Sequence, residues 1–205
     1  STINGYLDDH AFTIEALIDL YQITFNEAWL TEAQALMEHT IRHFSDTTTG
    51  LFHYTSDLDP PLIARPMEVH DNVTPASNSS MAKGLYLLGE LLDHAPYRKR
   101  SKRMLETIAP TMASYPSGHS NWALLAQWHT YPMPQIAITG TDALALRQQL
   151  AAYPIPQKLL LGGTLEATLP LLHGKFLPSS TIFVCVDKTC SLPVATVPEA
   201  LSQLP

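Results

Sequence analysis

The run at residues 65–92, RPMEVHDNVTPASNSSMAKGLYLLGELL, joins a polar, proline-stiffened loop to a helix whose first turns carry almost no bulk. Pro75 suits the opening turn of a helix, because the N–H it lacks would be unpaired there anyway. Ala76, Ser77, Ser79, Ser80, Ala82 and Gly84 leave room for another backbone or a ligand, while Met81, Leu85, Leu88 and Leu92 recur at helical spacing. The N–H groups at a helix start attract anionic or hydroxyl-bearing partners. Glu68, His70 and Asp71, in the loop ahead of that start, are therefore the first candidate site.

Moving outward toward the N-terminus, Asp8 and Asp9 are placed to cap a helix whose Ala11, Ile14, Ile18 and Tyr21 share a face. Phe12, Leu17 and Leu20 widen that stripe, which predicts contact with more than one neighbour. Beyond Asn26, the positions of Leu30, Ala33, Met37, Ile41 and Phe44 predict a second helix and hence an antiparallel helical hairpin. Residues 45–75 read as a long connection, with a turn at 47–50, a short strand at 51–54, and Pro60, Pro61 and Pro66 holding it extended. Connections of that length in a compact domain are functional or covering. Past a break at Ala95-Pro96, a helix is expected from about Tyr97 to Ser114, with Met104, Leu105, Ile108 and Met112 inward and Pro110 shortening it. A turn at 115–119 and a last apolar face of Trp122, Leu125 and Trp128 complete this half.

At Pro132 the character changes. Nine of the 16 prolines lie from here onward, and β-rich runs appear at 135–139, 158–161 and 181–186. A helix from Asp142 to about Ala152 separates the first two, an order that predicts a small parallel sheet. A short helix is expected over 196–204. The domains are accordingly placed at 1–131, helical, and 132–205, a small α/β tail.

Composition narrows the function classes. Hydrophobic residues make up 45% and charged residues 15%, so the chain should fold around a core. A formal net charge of −7 argues against general nucleic-acid binding, which needs an excess of Lys and Arg. The one basic run, at 98–103, spreads around a helix start and reads as solvated surface. No apolar run is long enough to span a bilayer and no signal-peptide pattern opens the chain, so no membrane partner and a cytoplasmic location are expected. Cys185 and Cys190 are the only cysteines; their C-x4-C spacing admits a disulfide or a metal, and a reduced, structural pair is the expectation. His39 and His43 lie i, i+4 without a catalytic Glu between them, and no metal or other cofactor is expected.

The segments GYLDDHAF (5–12), TGLFHYTSD (49–57), RPMEVHDNVTPASNS (65–79), IAITG (136–140) and IFVCVDKTCSLPV (182–194) occur in the order of a known family. The chain resembles the C-terminal half of the YyaL or spermatogenesis-associated, thioredoxin-domain-containing family, which carries a domain of unknown function. Asn72 stands where the family pattern has a glycine. The resemblance implies a longer protein with an N-terminal thioredoxin-like domain. It also implies that residues 1–131 are part of an (α/α)6 toroid, similar to N-acylglucosamine 2-epimerase and to six-hairpin glycosidases.

In helical toroids, sugar sites lie where inner-helix ends and their loops converge, and carboxylates do the acid and base work there. On that reading Glu68 and Asp71 would be acid and base, and His70 would orient or share a proton. Asp8, Asp9, Arg65, Ser77 and Asn78 would hold substrate hydroxyls, with Phe52 and Tyr54 stacking on a sugar ring. Each has a structural reading beside this one: Asp8 and Asp9 as caps, Glu68 or Asp71 as ion-pair partners of Arg65, Ser77 as a packing residue. The expected function is carbohydrate-related binding, hydrolysis or isomerisation. The alternative is a non-catalytic module that docks the thioredoxin-like domain, with exposed apolar surface covered by that domain or by a homodimer.

Overall fold

The structure, a computed structural model, describes residues 4–60, 63–131 and 133–205. Pro61 and Pro132, expected to stiffen the long loop and to mark the domain boundary, lie outside the described residues. The chain divides into two compact units. One comprises Ser1–Ile18, Trp29–Glu90 and His94–Thr130; the other comprises Asp19–Ala28, Leu91–Asp93 and Tyr131–Pro205. Helices dominate, and a four-stranded mixed sheet is the β component.

The first unit is built from α1 (Leu7–Thr24) up to Ile18, α2 (Ala28–Phe44) from Trp29, α3 (Ser77–Leu91) up to Glu90, α4 (Ala95–Met112) and α5 (Ser120–Thr130). Ala11, Ile14 and Ile18 of α1 are fully buried, as their spacing predicts. On α2 the buried line is Leu30, Ala33, Met37, Thr40 and Phe44. Thr40 takes the place expected for Ile41 by donating its hydroxyl to the Leu36 carbonyl, which removes the cost of burying it. Two helix starts also differ from expectation. α3 begins at Ser77 rather than Pro75, and α4 begins at Ala95, with Pro96 seated in its first turn instead of breaking the chain before it. Pro110 lies within the last turn of α4, and the helix ends two residues beyond it.

Ser101 ties three of these helices together. Its hydroxyl donates to the Ala82 carbonyl of α3 at 2.7 Å, so the Nε2 of His129 on α5, 3.1 Å away, must be the donor to Ser101 Oγ. Burial first, and the charge of Lys102 second, lower the His129 pKa from 6.5. The unfolded chain therefore takes up this proton more readily than the folded one. The stabilisation is present above 6.5 and lost as pH falls through 6.5 toward the folded value. The urea midpoint should drop between about pH 8 and pH 5, and the drop should be smaller in His129→Gln.

The second unit holds β1 (Gln135–Thr139), α6 (Ala143–Leu150), β2 (Leu159–Gly163), β3 (Thr181–Val186), β4 (Thr189–Cys190) and α7 (Val197–Leu201). The sheet order is β2-β1-β3-β4. β1 and β2 are parallel across α6, as the strand, helix, strand order predicts. β3 adds antiparallel on the other side of β1, so the sheet is mixed rather than parallel. β1 is buried along its whole length, its apolar centre at 136–138 flanked by buried Gln135 and Thr139. β3 and β4 form a hairpin through Asp187 and Lys188, both at positive φ (48° and 65°), the backbone that a two-residue turn demands.

That hairpin corrects the expectation of reduced cysteines. Cys185 and Cys190 face each other across it and form a disulfide. The flanking pair exchanges the Ser191 N–H to Val184 carbonyl bond, which leaves 185 and 190 at a non-hydrogen-bonded position, where antiparallel strands come closest. C-x4-C is the spacing that a two-residue turn converts into a directly opposed pair. Among the described residues no helix is long and apolar enough to cross a membrane.

Candidate functional site

The loop at 65–76 is fastened to the start of α3 by side chains the sequence singles out. Asp71 is buried, and both its oxygens are occupied: Oδ1 accepts the Ala76 N–H at 2.9 Å and the Ser79 hydroxyl at 2.8 Å, and Oδ2 accepts the Asn121 N–H at 2.8 Å. Its own N–H donates to the Gly118 carbonyl. One carboxylate thus closes the first turn of α3 and the first turn of α5. Glu68 serves the same helix from the outside, its Oε2 accepting the N–H and hydroxyl of Ser77 at 3.3 and 3.1 Å. Trp122 of α5 donates its indole N–H to the Val69 carbonyl at 2.8 Å between these two anchors.

Asn78 is wholly buried and acts as a missing strand neighbour. Its Oδ1 accepts the Phe52 N–H at 2.8 Å, and its Nδ2 donates to the carbonyls of Phe52 and Glu68, each at 2.9 Å. This is why residues 51–54 make only a single bridge, Ser45 with Phe52, instead of the expected strand. Arg65 likewise spends one terminal nitrogen on the carbonyls of His43 and Thr55, while its Nε is buried without a partner. Ser77, Asn78 and Phe52, expected to touch substrate, are all fully buried. The Arg100 guanidinium lies over the Phe52 ring, 4.0 Å from its centroid.

A second group of these residues meets at the start of α1. Asp9 caps that helix by accepting the Tyr6 N–H at 2.8 Å. The Tyr54 phenol donates to Asp8 Oδ2 at 3.0 Å, and its ring stacks on Tyr6 at 5.1 Å and 15°. Burial, the bond to Asp8 and the charges of Asp8, Glu68 and Asp9 push the Tyr54 pKa up to about 12. The other Asp8 oxygen, Oδ1, is buried without a partner. Asp8, Asp9 and Glu68 therefore converge on one phenol, while Asp71 is committed to the α3–α5 junction.

His70 is exposed and packs edge-on against His119 at 5.0 Å and Tyr115 at 5.9 Å. Both ring nitrogens of His119 are engaged, Nδ1 with the Tyr115 carbonyl and Nε2 with Thr111 Oγ1, so this histidine pair offers one available imidazole. Among the described residues no group of three or more His, Cys, Asp or Glu side chains is arranged to hold a metal ion. Asn121 and Ser79 are the partners that sequence reading misses. Asn121 Nδ2 donates to Ser79 Oγ at 2.9 Å, across 42 residues that no spacing rule connects.

The chain is similar to spermatogenesis-associated protein 20. The human protein is 29% identical over 205 residues, covering 93% of this chain and 26% of that protein's length. The proteins of that name from Rattus norvegicus and Mus musculus are 28% and 25% identical, with the same coverage of each chain. No family model matches the chain. The relation is one of distant homology, and the chain spans about a quarter of the length of the curated relatives it matches.

Proposed function

We propose that the chain is a non-catalytic interaction module of a longer protein, whose anchored loop docks an N-terminal thioredoxin-like domain. The observation that carries this reading is a contrast in and just before the loop. Arg65, Glu68 and Asp71 each hydrogen-bond the backbone of their own unit, while Val73 in the loop, and Leu58 and Ile63 ahead of it, stand out to solvent at 96%, 56% and 110% exposure. Apolar side chains on a backbone held in place lose little freedom on binding, which makes them efficient contacts. The resemblance supplies the occupant, and the quarter-length match to the relatives supports a larger assembly. In this reading α1 to α5 contribute to an (α/α)6 toroid completed by other helices of the full-length protein.

The test adds the thioredoxin-like domain, expressed separately from the same gene, to this chain and measures binding by calorimetry. Saturable binding is expected, weakened at least about tenfold when Ile63→Asp and Val73→Asp place charges in the contact. Absence of binding, with the chain eluting as a homodimer that the same substitutions dissociate, would replace the domain by a second copy.

A sugar-binding reading keeps one observation in its favour. The stacked Tyr6–Tyr54 pair, with Tyr6 half exposed, adjoins the unpaired Asp8 oxygen and the outward Glu68. At this rim Glu68, and not the buried Asp71, is the exposed carboxylate that a small sugar ligand would meet. Hydrolysis or epimerisation would have to be assigned to Asp8 and Glu68, and a sugar screen read by melting temperature is the corresponding test.

A further inference from the structure

A cleft of about 670 Å³ opens in the helical unit, between the end of α2, the turn at 46–50 and the first half of α4. Its lining combines Arg42, Lys99, Arg100 and Arg103 with a single carboxylate, Asp46, and with Ile41 and Pro96 as apolar wall. Lys99, Arg100 and Arg103 belong to the basic run that the sequence presents as solvated surface. Their i, i+3 and i, i+4 offsets bring them to one side of α4, and Arg42 arrives from α2.

One carboxylate does not balance four cations. Asp46 Oδ2 accepts the N–H and hydroxyl of Thr49, bonds that favour its ionised form, and the lining keeps a clear excess of positive charge. Arg100 spends Nε and one terminal nitrogen on the carbonyls of Gly50 and Leu51, and Arg103 bonds the carbonyls of Thr47 and Thr48. These contacts aim the guanidinium groups and cancel none of their charge. Burial, and then the neighbouring charge of Arg103, lower the Arg100 pKa to about 10. Arg42 and Lys99 are exposed and have no acidic partner among the described residues. Pro96 places the first turn of α4 on the same wall, and the residue before that helix, His94, makes no side-chain cap. The positive end of the helix dipole adds to the four side chains.

We propose that this cleft binds a small phosphorylated molecule, its phosphate held by Arg42, Lys99, Arg100 and Arg103 and its organic part resting on Ile41 and Pro96. A multiply charged anion offsets the mutual repulsion of the cations, and Arg presents paired N–H groups that match phosphate oxygens. The cleft volume falls within the range of small-molecule sites. A net charge of −7 over the chain confines the attraction to this spot, unlike the continuous basic track a nucleic acid requires. The site is independent of the docking reading, since it shares no residue with the exposed loop tips.

Inorganic pyrophosphate is the probe, titrated into the chain at low salt by calorimetry and followed by amide shifts. Binding is expected, with perturbations at residues 41–50 and 96–103, and it should weaken as ionic strength rises. Arg42→Gln combined with Lys99→Gln should weaken it at least about tenfold, at unchanged melting temperature, because both side chains are exposed and outside the packed core. No heat and no shifts up to about ten millimolar probe, or affinity undiminished in the double variant, would overturn the proposal. So would binding to anionic phospholipid vesicles or to an oligonucleotide that pyrophosphate does not displace, since the ligand would then be a surface or a polymer.

Discussion

Asp71→Ala should lower the unfolding free energy of the helical unit by about 2–6 kcal/mol, since each buried donor left without an acceptor costs about 1–3 kcal/mol. Two backbone donors lose their acceptor at once, the N–H groups of Ala76 and Asn121, while the Ser79 hydroxyl is left with the Ala76 carbonyl alone. They sit at the first turns of two helices, so α3 and α5 lose their common anchor. All three tryptophans, Trp29, Trp122 and Trp128, lie in this unit, and their fluorescence in a denaturant titration reports on it selectively. Asp71→Asn keeps the shape but offers N–H groups to donors, and should lie between wild type and Asp71→Ala. The pair of variants also separates the readings of Asp71. An acid or base catalyst would tolerate Asn in stability while losing activity, whereas an anchor loses stability first.

Gly162→Ala should cost the sheet unit at least about 3 kcal/mol, the upper end of what overpacking does in a well-packed interior. A Cβ built at Gly162 would stand 2.0 Å from the Ile138 carbonyl oxygen and 2.9 Å from the Phe25 ring. The first of these is backbone, held in register by the β1–β2 ladder that pairs Ile138 with Gly162, so it cannot swing aside. β2 must therefore separate from β1 or shift along it, and either change breaks the β1–β2 register. Amide exchange at Ile136 and Ile138 is the measurement, because the sheet unit contains no tryptophan. Gly163→Ala is the control. The nearest atom to its Cβ is the Leu165 carbonyl oxygen at 3.2 Å, and a small adjustment of that loop suffices. Equal loss in both variants would show that strand glycines are needed for flexibility rather than for close approach.

The candidate residues divide along a physical line. Asp8, Asp9, Glu68 and Asp71 are legible as helix-start carboxylates because a capping acceptor must lie within a few residues of the N–H groups it serves. That rule cannot tell a carboxylate whose oxygens are all occupied, like Asp71, from one with an unpaired oxygen, like Asp8. The difference depends on α5 and on Tyr54, which reach these groups from 50 and 46 residues away. Phe52 and Tyr54, two residues apart, share a loop and a local pattern. One is buried beneath Arg100 and the other lies on the Tyr6 stack, because the first faces α3 and α4 and the second faces α1.

Local pattern by itself determined the helices of the first unit, the apolar stripe of α1 and the spans of β1 and β3, since periodicity and turn chemistry act over a few residues. Tertiary structure alone decided the antiparallel sense of β3, the closure of Cys185 onto Cys190, and the use of Asn78 as a strand neighbour. It also decided that Arg42 would join Lys99, Arg100 and Arg103 around one cleft. In each of these the partners come from segments whose meeting depends on how elements stack. The free energy that selects the arrangement comes from burying apolar faces, and those faces do not specify which polar groups they will bring together.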